Sequence, residues 1–349
     1  MGSMRPLMAA IGISLFIAAG FPARQTTAQQ ATASPAELLA RLSATIAAQY
    51  PMARSLVLAR GNCILHEYYA RNSGPDELWP VYSVTKSVLS ILVGIAVDKG
   101  LLRLDQKLPQ LITEAAEGTI DPRAAEVTLH DLLTMSSGFA PHEMVTRRDV
   151  WNSGAWMTGR SVTYPPGTHF EYDDQGTNLI AIILRRAVGG NIAEFARNEL
   201  FAPLQIDRYQ WMVDLDGNLP GYAGLRLTGR DMAKIGLLYL QGGRWRERQV
   251  VSEAWVLDST RKHNDGGEPA NASYGYLWWT RTTRDGLLAY FAAGWQSQLI
   301  LNFPDRNLVI ALASSSTLPG GAATFINDVA LYAEAALPAG ATCVGRLDQ

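Results

Sequence analysis

The sequence predicts an α+β protein in which an antiparallel sheet, flanked by helices, adjoins a mainly helical lobe. Three observations predict it. Strand-like runs lie towards the two ends of the chain, and a series of short helical patterns broken by Pro, Gly and Asp lies between them. Sequential strands are separated by turns too short for the crossover a parallel pair needs, so they must run antiparallel. A chain of 349 residues with 48% hydrophobic residues is long enough to bury the core of such a fold.

In chain order, Arg5 and the apolar run Leu7 to Gly20 precede a polar stretch containing Thr26-Thr27-Ala28. This three-part pattern predicts an export signal cleaved after Ala28, with residues 1–30 as signal and linker and a periplasmic or secreted product. No later segment approaches the roughly 18 uninterrupted apolar residues of a spanning helix. Residues 31–349 are expected to form one domain, with an α/β lobe at about 36–100 and 222–340 and a helical lobe at about 101–221.

Ser34-Pro35 starts a first helix through "PAELLARLSATIAAQ". Two strand runs around Arg60-Gly61-Asn62 predict a hairpin. "SVTKSVLSILVGIAVDKG" reads as a buried helix beginning at Ser83 and closed by Gly100. Further helices follow in "TLHDLLTMSSGF" (Thr128 to about Ser137-Gly138), "GTNLIAIILRRAVGG", "NIAEFARNELFAPL", "LTGRDMAKIGLLYLQGG" and "VVSEAWVLDST". The strands "GLLAYFAAG", "SQLILNF" and "NLVIALASS" then turn at Trp295-Gln296 and Pro304-Asp305-Arg306, before a last helix around 321–336.

Composition excludes several classes. The net charge is -2 and no dense Lys/Arg run tracks a phosphate backbone, so nucleic acid is not an expected partner. His66, His130, His142, His169 and His263 are scattered singly, without metal-ligand spacing, and neither a metal nor an organic cofactor is expected. Cys63 and Cys343 are compatible with one bridge in an oxidising compartment, and equally with two unpaired buried thiols.

The chemistry concentrates at Ser83 and Lys86. At i and i+3 of a helix start the two side chains leave from one face. A serine hydroxyl needs a base to become a nucleophile. A free lysine, with a pKa of about 10.4, is neutral in roughly one molecule in 2,500 at pH 7. Burial and the positive helix start both disfavour the ammonium, so the amine is expected to be held neutral as the base. The Ser83 backbone N–H, free at the helix start, is positioned to hold a developing oxyanion. A second Ser-x-x-Lys, Ser259 to Lys262, lies in "DSTRKHNDGG", where nothing would desolvate the amine.

With "YSVTKSVLSILVGIAVDKGLLRLDQKL", the blocks "VTLHDLLTMSSGF", "PPGTHFEYDDQGTNLIAIIL", "GLRLTGRDMAKIGLLYLQGGRWRERQVVSEAWV", "YGYLWW" and "LILNFPDRNLVIALAS" agree in order and spacing with one family. Over about residues 36–335 the chain resembles the serine β-lactamase and penicillin-recognising superfamily. It is most similar to the branch of class C β-lactamases, family VIII carboxylesterases, D-aminopeptidases and 6-aminohexanoate-oligomer hydrolases. The resemblance implies a β-lactamase/transpeptidase-like fold, Tyr172 as the phenol that shares the proton with Lys86, and Trp295 N–H as the second oxyanion donor.

Two departures stand out. Asp174 occupies the position of the Asn in the Tyr-x-Asn motif, and Ala292-Ala293-Gly294 replaces Lys-Thr-Gly or His-Thr-Gly. An acid at 174 that paired with Lys86 would raise the lysine and count against a neutral base. The missing cation and hydroxyl weaken the case for carboxylate-bearing β-lactams or D-Ala-D-Ala termini. Asp174, Gly294, Trp151 and Trp156 are the expected substrate contacts, with Trp79 and Trp295 as further pocket candidates. His169 lacks the G-x-S-x-G elbow that would support a Ser-His-Asp site.

The expected function is an exported serine hydrolase acting through an acyl-enzyme on small esters or amides. The alternatives are a β-lactamase or D-Ala-D-Ala carboxypeptidase, and a non-catalytic penicillin-binding-like recognition protein.

Overall fold

The computed structural model describes residues 35–112, 121–140, 160–213, 219–283, 286–318, 325 and 343–348. The export segment, the last helix apart from Phe325, and Trp151 and Trp156 lie outside the described residues.

Helix α1 (Pro35–Gln49) leads into the hairpin β1 (Ala53–Arg60) and β2 (Cys63–Tyr69), which turns at Gly61 with φ +52°. The buried segment forms α2 (Val84–Asp98). Gly100 at φ +70° donates to Val97 O and Leu101 N to Ala96 O, satisfying the last carbonyls in a Schellman cap. Helices α3 (Leu129–Leu133) and α4 (Asp174–Ala187) follow, then α5 (Gly229–Leu240) and α6 (Glu253–Thr260).

The chain then builds β3 (Asn264–Gly267), β4 (Ala272–Tyr274), β5 (Trp279–Thr282), β6 (Leu288–Gly294), β7 (Gln298–Phe303), β8 (Leu308–Ser314) and β9 (Gly345–Arg346). The order across the nine-stranded sheet is β9-β2-β1-β8-β7-β6-β5-β4-β3, with antiparallel pairing throughout. The N-terminal hairpin thus joins the C-terminal meander through β1 and β8, in the register Ser55↔Ala313 to Arg60↔Leu308.

Neighbouring residues of a strand face opposite sides of the sheet. His66 of β2 meets Ser43 of α1 (2.8 Å) on one side, and Glu67 meets Arg230 of α5 (2.7 Å) on the other. Helices therefore cover both faces. Helix α2 packs on β6, β7 and α4. Every residue from Val84 to Ala96 is buried, as expected of a helix that is apolar nearly all round.

Two expectations need correction. The helix beginning at Thr128 stops at Leu133, because Met135 takes φ +53°. Strands β3 to β5 extend the sheet where no strand was expected: β3 reads Asn-Asp-Gly-Gly, without apolar alternation, and β4 and β5 are only three and four residues long. Cys63 and Cys343 form a disulfide across a sequence separation of 280, which decides between the two cysteine readings and holds the tail beside β2.

Candidate active site

Ser83 is the N-cap of α2 with helical dihedrals (φ -67°, ψ -7°), and its side chain makes no capping hydrogen bond. The hydroxyl is therefore left for Lys86, one turn on, whose Nζ donates to Ser83 Oγ at 2.9 Å. The lysine does not extend to solvent, its side chain being only 2% exposed.

Tyr172-Asp173-Asp174 reaches this amine from the start of α4. Asp173 is the N-cap: it accepts from Gln175 N (3.0 Å) and from buried Arg160 Nη1 (2.7 Å). With Asp173 turned to that work, its two neighbours face Lys86. The Tyr172 ring centroid lies 4.8 Å from Nζ, and the ring stacks on buried Trp279 of β5 (centroids 5.9 Å apart, 15° between planes). Asp174 Oδ1 lies 2.7 Å from Nζ.

The third contact comes from a glycine. A Cβ on Gly221 would sit 2.1 Å from Thr177 O, so only glycine lets this segment lie against α4, where Gly221 N donates to Asn178 Oδ1 (3.0 Å). The next residue, Tyr222, then accepts from Lys86 Nζ at 3.2 Å through its carbonyl.

The electrostatics overturn the expectation of a neutral amine. Burial pulls Lys86 down, but the negative charges available at Tyr172 and Asp174, with hydrogen bonds from the same side chains, more than reverse it, and the lysine is held above its ordinary value. Asp174, expected among the substrate contacts, is placed as the ion-pair partner of Lys86.

Strand β6 supplies the opposite wall. A Cβ on Gly294 would lie 2.3 Å from Val81 O and 3.2 Å from Ser83 N, so the glycine allows the strand end to press on the helix start. β5 pairs with β6 only from Leu288 to Phe291, so Ala292, Ala293 and Gly294 are laddered on one edge alone, by β7. Ala292 is buried and Ala293 half-buried, so this stretch offers a backbone edge with neither cation nor hydroxyl. Trp295 follows, 66% exposed, its ring edge-on to Tyr82 at 5.2 Å, while Tyr82 Oη donates to Gln296 Oε1 (2.9 Å). Tyr82 (φ +47°), Gln296 (φ +60°) and Ser297 (φ +62°) all occupy the left-handed region, so the site is flanked on both sides by strained backbone.

Ser83, Lys86, Tyr172, Asp174 and Gly294 are thus brought together, with Trp295 at the rim. Trp79 stands apart in a two-residue strand paired to Leu225–Leu227, and His169 stacks on Tyr164 at 3.9 Å. Sequence reasoning missed the Tyr222 carbonyl, which no side chain advertises, and the roles of Tyr274 and Trp279 behind Tyr172. The aromatic density of "YGYLWW" was the available signal. Among the described residues, no group of His, Cys, Asp and Glu is arranged to hold a metal ion, and no helix is long and apolar enough to cross a membrane.

Comparison with known proteins agrees with this architecture. A family model described as Beta-lactamase matches residues 39–335. The 6-aminohexanoate-dimer hydrolase of Paenarthrobacter ureafaciens is 29% identical over 258 residues, covering 64% of this chain and 63% of that protein. The lovastatin esterase of Penicillium rubens is 28% identical over 189 residues, covering 44% and 47%. The chain thus aligns with about half to two thirds of the length of these relatives. A family VIII carboxylesterase crystal structure superposes with a TM-score of 0.71 at 16% identity, over 87% of this chain and 98% of that one, a likeness of fold. With the matched region spanning nearly the whole described fold, the chain belongs to the beta-lactamase family.

Proposed function

We propose that the protein is an exported serine hydrolase that cleaves small, uncharged esters or amides through an acyl-enzyme. The observation that carries this reading is the Ser83 hydroxyl, uncommitted to its helix and 2.9 Å from a buried Lys86 that also faces Tyr172. Ser83 Oγ attacks the carbonyl, its proton passes into the Lys86–Tyr172 pair, and the same pair returns a proton to the leaving group. The N–H groups of Ser83 and Trp295 hold the oxyanion, as supported by the closeness of Gly294 to Ser83 N. Water then releases the acyl group.

The substrate class is supported by the methyl groups of Ala292 and Ala293, which offer nothing to pair with a carboxylate, and by relatives named 6-aminohexanoate-dimer hydrolase and lovastatin esterase. Export is supported by the N-terminal pattern of residues 1–30.

Intact mass after a fluorophosphonate probe tests the nucleophile: one adduct on the wild-type protein and none on Ser83→Ala is expected, and label retained on the variant refutes the assignment. Turnover of a p-nitrophenyl ester beside a chromogenic cephalosporin tests the substrate class. Faster cleavage of the cephalosporin would turn the reading towards a β-lactamase.

A further inference from the structure

We propose that Trp295 is the specificity-determining residue of the acyl side of this site: its exposed indole, braced by Tyr82, receives a flat apolar acyl group, so that the preferred substrates are esters or amides of aromatic carboxylic acids. The inference rests on the serine-hydrolase reading above and deepens it.

The first observation is exposure at one place. Trp245, Trp255, Trp278 and Trp279 are buried, and Trp79 and Trp211 half-buried, whereas Trp295 is 66% exposed. Burying so large an apolar ring is strongly favourable, and this indole still has that stabilisation to gain from a ligand. It stands one residue from Gly294, whose added Cβ would lie 3.2 Å from Ser83 N, so the ring adjoins the nucleophile.

The second observation is that the exposed ring is held. Trp295 opens a turn in which Gln296 and Ser297 take φ +60° and +62°. Three hydrogen bonds fix that turn. Tyr82 Oη donates to Gln296 Oε1 (2.9 Å), buried Ser297 Oγ accepts from Leu318 N (3.0 Å), and Gln298 Nε2, on a side chain with no exposure, donates to Ser314 O (2.6 Å). Tyr82, at φ +47° immediately before Ser83, also meets the indole edge to face, with centroids 5.2 Å apart. A ring stacking on a surface already fixed in this way pays little to order it.

The third observation is how the site divides the substituents of the attacked carbon. After Ser83 Oγ adds, that carbon carries Oγ, the oxyanion, the leaving group and the acyl chain. The leaving group takes its proton from the Lys86–Tyr172 pair and must face it. The rings of Tyr172 and Tyr222, 4.8 Å and 5.7 Å from Lys86 Nζ, stand on that side. The oxyanion lies between the N–H groups of Ser83 and Trp295. The acyl chain is left the side to which the Trp295 ring belongs, and the adjoining Ala293 and Ala292 bring methyl groups with no charge for an acidic or basic chain.

The probes are two esters with one leaving group, p-nitrophenyl phenylacetate and p-nitrophenyl acetate, so the ratio of their kcat/KM values reads the acyl side. The wild-type protein should favour the phenylacetate. Trp295→Ala should cut the ratio by about 2- to 10-fold, the range of one aromatic pair, mainly through KM. Trp295→Phe, which keeps a ring, should retain the larger part of it. A wild-type preference for the acetate, a ratio that does not fall in Trp295→Ala, or one that falls as far in Trp295→Phe overturns the inference. Fluorophosphonate labelling of the same preparations separates the two readings. Wild-type protein that neither takes the label nor turns over either ester sinks the serine-hydrolase reading and this inference with it. Labelled, active protein with an unmoved ratio sinks only the role of Trp295.

Discussion

The chain contains Ser-x-x-Lys twice, and the two copies share their spacing and little else. Ser83 and Lys86 lie at the start of a buried helix, and the lysine turns inward to Ser83, Asp174 and Tyr222. Ser259 lies one residue before the end of α6, its hydroxyl spent on Val256 O (3.2 Å) and Tyr239 Oη (3.4 Å). Lys262 falls beyond the C-cap residue Arg261, 57% exposed, and pairs with the still more exposed Asp265. Both lysines have a carboxylate partner, yet only Lys86 is itself buried and adjoins an uncommitted hydroxyl. Spacing therefore does not make the site. Helix polarity, burial and converging neighbours do.

The largest expected effects would break this comparison outright. Ser83→Ala should lower kcat on an activated ester by about 10⁴- to 10⁶-fold, the loss typical of removing a serine nucleophile, whereas Ser259→Ala should leave it unchanged. Equal losses would mean that the first copy has no special status. Steady-state assays of Lys86→Ala should show a fall of about 10²- to 10⁴-fold, the range for losing a charged or proton-carrying group beside the nucleophile. Lys262→Ala should stay near wild type, with a Tm within about one degree, because an exposed pair contributes little.

A smaller effect sharpens the role of the opposing wall. In Gly294→Ala the added methyl meets Val81 O at 2.3 Å, forcing the strand end away from Ser83 N. If Trp295 N–H is an oxyanion donor, kcat should drop by about 10²-fold, as for loss of one such donor. An unchanged kcat would remove that strand from the mechanism. The smallest expected effect on chemistry is that of Cys63→Ser: kcat at 25 °C should persist, while denaturant melts should show a loss of about 2–5 kcal/mol. A large fall in kcat would instead tie the bridge to the site.

Much of this was legible because it is written in side chains with a fixed period. The capped run from Ser83 to Gly100, the hairpin at Gly61 and the apolar strands β6 to β8 each carry a pattern that local physics reads directly. The position of Asp174 was legible as a departure, but its direction was not. Whether the acid points at Lys86 depends on Asp173 taking the cap and Arg160, a pairing across 13 residues that no local period announces. The Tyr222 carbonyl was invisible because a backbone acceptor has no residue signature. Strand β3 was missed because Asn-Asp-Gly-Gly owes its extended form to its partners in β4 and not to propensity.

The tail strand has a consequence beyond stability. Gly345 and Arg346 ladder onto Ile64 and Cys63, while Val344 N and Leu347 N donate to Ile64 O and Asn62 O. They occupy the outer rim of a sheet whose first hairpin would otherwise present bare amides and carbonyls to any neighbouring molecule, the usual route to intermolecular stacking. The Cys63–Cys343 linkage keeps this cover within reach even when the short ladder opens, so a reducing milieu should favour self-association of folded molecules before it favours their unfolding.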